Sequence, residues 1–87
     1  MIIQNLNKLI VEYVKENEID IPVEYIPDIS HLAYTHNYIQ ILYSYDNEVL
    51  LMLIDLFEKY EIYEECQKIK KTIEDYNKLE NKNLKTR

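Results

Sequence analysis

Eighty-seven residues with 47% hydrophobic side chains make one domain with enough apolar material for a core. Glycine is absent, and this removes phosphate-cradling loops, dinucleotide fingerprints, nucleophile elbows and standard EF-hand turns. It also argues against tight β-hairpins. The net charge of −6 is uneven: residues 1–65 hold thirteen Asp/Glu and three Lys, whereas 66–87 hold three acids and seven Lys/Arg. An acidic body disfavours direct nucleic-acid binding.

The first helix is expected from about Ile3 to Glu16. Ile3, Leu6, Ile10, Tyr13 and Val14 fall at helical spacing, Leu9 and Val11 widen the stripe, and Asn17 is a suitable stop. The N-terminus has neither the basic leader region nor the small-residue cleavage site of a signal peptide. Residues 18–28, EIDIPVEYIPD, carry both prolines, which bias Ile21 and Ile26 toward extended backbone. A packed extended connection is expected, with a short edge strand as the alternative and Asp28 as the cap of the next helix.

Residues 29–45, ISHLAYTHNYIQILYSY, read in two ways. As a helix they put Tyr34, Tyr38, Ile41, Leu42 and Tyr45 on one face. As a strand they align Ile39, Ile41, Tyr43 and Tyr45. Length and Asp28 favour the helix.

Asp46 is expected to cap a third helix, with Glu48 near its positive end. Val49, Leu53, Leu56, Phe57 and Tyr60 form its stripe, and Leu50, Met52 and Ile54 make it apolar nearly all round, as in a central helix. Its longest apolar run, residues 49–54, is far below the ~20 residues of a membrane span. A turn follows, then a fourth helix to about Leu79. Ile62, Cys66, Ile69, Ile73 and Tyr76 alternate in steps of four and three, the seam of a packed helix pair. The fold expected is all-α: a small bundle of three or four helices with a C-terminal antiparallel hairpin. Residues 1–80 form the domain and 81–87 a polar, frayed tail.

Residues 48–75 resemble the UVR motif of bacterial excision-repair subunits, through Tyr63, Glu64, Cys66, Ile69 and Ile73, with Lys70 near the usual basic position. They depart from it in having Gln67 where a second small residue is usual, and in lacking alanines in the first helix. The resemblance covers about a third of the chain. It implies hairpin pairing with another protein rather than catalysis.

The chemistry-bearing residues fit that implication. Cys66, the single cysteine, occupies a seam position that suits a small polarisable side chain, and a lone thiol fits a reducing cytoplasmic setting. His31 and His36 lie five apart, off the i,i+4 spacing of paired helical metal ligands, and no cofactor or metal is called for. The acid pairs Glu12/Glu16, Asp20/Glu24 and Glu24/Asp28 read as solvated faces. Nine tyrosines against one Phe and no Trp favour side chains with an apolar body and a polar tip. The expected function is a non-enzymatic protein-binding adaptor, regulator or inhibitor, homo-oligomeric and with another protein as partner. Its contacts would be Tyr34, Tyr38, Tyr45, Phe57, Tyr60 and Tyr63. The alternative is an acidic mimic of nucleic acid, like some phage-encoded inhibitors including anti-CRISPR proteins. Glu12, Glu16, Glu18, Asp20, Glu24 and Asp28 would then imitate a phosphate track.

Overall fold

A computed structural model describes residues 5–85, and side chains through Leu79. The fold is all-α, with five helices rather than three or four among the described residues. They are α1 (Leu6–Glu16), α2 (Ile26–Tyr34), α3 (Tyr38–Ser44), α4 (Asn47–Lys59) and α5 (Tyr63–Lys85). Helix α4 packs along α5 as the expected hairpin, α1 packs on α2, and α3 bridges α2, α4 and α5.

The periodic stripes become the core. Leu6, Ile10 and Val14, one turn apart, are the buried edge of α1. Ile3, the expected first residue of that stripe, lies outside the described residues. Helix α4 buries Val49, Leu50, Met52, Leu53, Ile54, Leu56 and Phe57, which explains why its sequence is apolar on almost every face. Its start is as expected: the Asp46 carboxylate accepts the Asn47 N–H at 2.6 Å. On α5, Cys66 and Ile69 are buried, while Ile62 and Ile73 pack half-buried against the same core.

Two boundaries differ from expectation because of local geometry. Helix α2 begins at Ile26, not after Asp28, and Pro27 sits in its first turn. Proline there gives up only an N–H that would have lacked an intrahelical partner. Ile26 takes helical dihedrals (φ −61°, ψ −41°) despite preceding proline, and it is buried. Packing overrides the local preference for extended backbone. The connector keeps extended geometry at Pro22 (ψ 134°), then makes a short 3-10 turn, Val23–Tyr25. No strand occurs among the described residues.

The second difference is that 29–45 is helical but divided at Thr35–Asn37. The Thr35 hydroxyl folds back onto the carbonyls of His31 and Leu32, and His36 turns left-handed at φ 61°. The break resets the helical phase. Tyr38, Ile41, Leu42 and Tyr45 still share the inward face, whereas Tyr34 points outward. At the other end, α5 continues past Leu79 to Lys85. Residues 81–85 of the expected tail are therefore helical, and residues 86–87 lie outside the described residues.

Three helices end in the same way. After α1, α2 and α4 the chain closes with paired bonds of the Schellman type. Ile19, Asn37 and Ile62 donate to the carbonyls of Val14, Leu32 and Phe57 at 3.0, 2.8 and 2.8 Å. The residue before each donor is left-handed: Glu18 at φ 51°, His36 at 61° and Glu61 at 60°. This conformation crowds a Cβ and is most easily adopted by glycine, which the chain lacks. Glu18→Gly or Glu61→Gly should therefore raise stability by roughly 0.5–1 kcal/mol each. Thermal unfolding should show a Tm increase of roughly 2–8 °C. A decrease at both sites would refute this account of the helix ends.

Candidate functional site

The turn between α2 and α3 and the turn between α4 and α5 meet at one end of the molecule. They are clasped by a polar cluster that sequence reasoning did not find. Glu65, in the first turn of α5, is buried, and its carboxylate is fully engaged. Oε1 accepts from the Tyr38 hydroxyl at 2.6 Å and lies 2.8 Å from His36 Nδ1. Oε2 lies 3.2 Å from Lys68 Nζ. Burial alone would push this carboxyl up. The hydrogen bonds from Tyr38, His36 and Lys68 prevail and hold it below the usual glutamate range. The Tyr38 phenol is driven well above its ordinary range, by burial first and by the Glu65 carboxylate second.

Outside the clasp lies an open groove of about 460 Å³, lined by His36, Glu61, Ile62, Tyr63, Glu64 and Lys68, with Glu65 beneath. Tyr34 precedes His36 by two residues, Tyr63 precedes Glu65 by two, and Tyr60 ends α4. The His36–Glu65 contact thus gathers these three tyrosines at one end of the bundle. They are 57%, 58% and 43% exposed for Tyr34, Tyr63 and Tyr60 respectively. Lys59 Nζ sits 5.9 Å from the Tyr60 ring centre.

The expected contact residues therefore separate into three groups. Tyr34, Tyr60 and Tyr63 are exposed, and Tyr63 lines the groove. Tyr38 and Phe57 are buried, so as placed they belong to the core and not to a contact surface. Tyr38, on α3, and Phe57, on α4, are members of the buried apolar cluster. Tyr45 is half-buried and lies elsewhere, its ring 5.7 Å from that of Tyr25 and its hydroxyl bonded to Asp28. That carboxylate, with burial adding to it, raises the Tyr45 phenol to about 12. Tyr13, bonded to Asp55, is likewise raised to about 12, by burial first and the carboxylate second.

The six residues of the acidic track are all exposed. Glu16 lies 3.8 Å from Lys59, and Asp28 is held by Tyr45. Glu12, Glu18, Asp20 and Glu24 make no ion pair among the described residues.

Cys66 sits in the α4–α5 seam, buried, with its thiol donating to the Ile54 carbonyl at 3.4 Å. Burial and then the nearby Glu58 push the thiol up, against a partial offset from Lys70. A thiolate is the reactive species, so the folded protein should react with Ellman's reagent more than about tenfold more slowly than the urea-unfolded chain. Equal rates would show that the thiol is accessible. Among the described residues no three His, Cys, Asp or Glu side chains converge in a metal-binding set. No described helix is long and apolar enough to cross a membrane.

Comparison with family profiles, curated proteins and solved structures yields no match.

Proposed function

We propose that this chain is a non-catalytic module that binds another protein, acting as an adaptor, regulator or inhibitor in the cytoplasm. The observation that carries this reading is the exposed Tyr63 ring lining the groove over Glu65, with Tyr34 and Tyr60 exposed on the two turns that the His36–Glu65 contact joins. Tyrosine supplies a large apolar contact and a hydrogen-bonding tip at low entropic cost, and it is enriched at binding hot spots. Glu61 and Glu64 make the rim acidic, which selects against acidic competitors. The UVR-like pattern of residues 48–75 supports the same class of function, recognition by pairing of a helical hairpin. Pairing of hairpins between copies would make the chain a homo-oligomer, which sizing of the purified protein tests.

The decisive experiment removes the rings that are free to bind. A partner recovered from native cytoplasm should bind Tyr34→Ala, Tyr60→Ala and Tyr63→Ala variants more weakly. At least one substitution should cost about 2 kcal/mol, roughly thirtyfold in Kd, with helicity by circular dichroism unchanged. Undiminished affinity in the triple variant would refute the surface.

A second reading is favoured by one observation: Glu12, Glu18, Asp20 and Glu24 are exposed acids without cationic partners among the described residues. A mimic of nucleic acid would present such a track to the basic groove of a nucleic-acid-binding enzyme. Its binding would weaken steeply as salt is raised, while docking through tyrosines would change little.

A further inference from the structure

Residues 16–58 contain nine Asp/Glu and not one Lys or Arg. Within that stretch the connector before α2 passes beside the α3–α4 turn, and an open crevice of about 350 Å³ lies between them. Ile21 and Val49 form its apolar floor, Tyr25 and Tyr45 its aromatic wall, and Asp20 and Glu48 its rim. Asp46, also at the rim, is already occupied as the cap of α4. Asp20 and Glu48 make no ion pair among the described residues.

The wall is held in place on one side and open on the other. Tyr45 is anchored by its hydroxyl bond to Asp28, and the Tyr25 ring leans on it at a 52° tilt. Tyr25 itself is 46% exposed. An aromatic face beside unpaired carboxylates attracts a cation twice, through the ring quadrupole and through charge. The volume lies near the lower end of the roughly 300–1,000 Å³ typical of ligand pockets, room for a long side chain or two. Guanidinium fits this combination better than ammonium, because it is planar, stacks on rings and sheds water more readily. A phosphate-bearing ligand would be repelled by the same rim.

We propose that this crevice docks an arginine-bearing segment of a partner protein, with the guanidinium over Tyr25 and its charge met by Asp20 and Glu48. The surface is separate from the Tyr34–Tyr60–Tyr63 end, and its test does not depend on that end.

The test is an NMR titration of the labelled full chain with a blocked peptide carrying arginines at alternate positions in an alanine–serine background. Its citrulline counterpart, isosteric but uncharged, is the control. Saturable shifts should centre on Ile21, Tyr25, Tyr45 and Val49. The citrulline peptide should bind at least about tenfold more weakly. Tyr25→Ala should weaken binding about fivefold, whereas Tyr25→Phe, which keeps the ring, should retain it. If Tyr25→Ala disturbs the fold, the exposed pair Asp20→Asn and Glu48→Gln decides the matter by the same loss. Shifts spread equally over Glu12, Glu64 and Asp75, or equal binding of the citrulline peptide, would overturn the proposal. So would the same shifts appearing without peptide as protein concentration rises, since a second copy would then be the occupant.

Discussion

Phe57→Ala is expected to cost about 3–5 kcal/mol of folding stability, the largest loss of any single truncation argued from this fold. Phe57 is the one phenylalanine in the chain and is fully buried in α4. It also carries the carbonyl that accepts Ile62 N–H at 2.8 Å where α4 turns toward α5. Cutting its ring back to a methyl removes transfer free energy and leaves a cavity at the hairpin's closed end. A domain of this size has roughly 4–13 kcal/mol in total, so the variant should stand near the limit of folding. Urea unfolding should show a much lower midpoint with little change in slope. The contrast with Tyr60, three residues on, is the informative part. Tyr60→Ala should stay within about 0.5 kcal/mol of the parent, because an exposed ring fills no core volume. A Phe57→Ala loss below about 1 kcal/mol would mean that the hairpin is not packed as described.

Much of this architecture was legible in the spacing of apolar residues. The α1 stripe, the nearly all-apolar α4 and the alternating seam of α5 are each a direct consequence of 3.6 residues per turn. Asp46 was readable as a cap because a short acceptor preceded an apolar run. The start of α2 was readable too, from Pro27, had first-turn proline been weighed above the bias that proline imposes on its predecessor. The break at Thr35–Asn37 carried a weaker signal. Neither glycine nor proline marks it, and a histidine takes the left-handed position; only the polar Thr-His-Asn run hints at a stop. Glu65 was hidden for another reason. Glutamate is seldom buried, and its partners His36 and Tyr38 lie 29 and 27 residues away, a separation that no periodicity reports. Composition identified tyrosine as the residue of interest. It could not separate the buried Tyr38 from the exposed Tyr34, because a three-residue interruption decides which way each ring points.

Glu65→Ala is expected to cost about 2–3 kcal/mol, by stranding polar groups more than by removing apolar surface. The Tyr38 hydroxyl is buried and has Glu65 as its acceptor. His36 and Lys68 are each partly exposed and can turn to water, so their share of the loss is small. Tyr38→Phe removes the donor instead, leaves the carboxylate its other two partners, and should cost about 1 kcal/mol. With both substitutions the stranded hydroxyl is gone. The double variant should therefore lose less than the sum of the singles by about 1 kcal/mol in a cycle of urea unfolding experiments. The pH dependence follows from the same contacts. Glu65 is held below its ordinary range in the folded state, so its contribution is complete above the unfolded carboxyl's pKa, near pH 4.3, and fades as pH falls through the folded value. Tyr38, Tyr13 and Tyr45 are raised, so their contributions are complete below about pH 10 and are lost as pH climbs beyond it. The parent should show a stability plateau between these limits. Glu65→Ala should flatten its acid edge, and Tyr38→Phe should soften its alkaline edge. An unchanged acid edge in Glu65→Ala would mean that the carboxylate does not hold the two turns together.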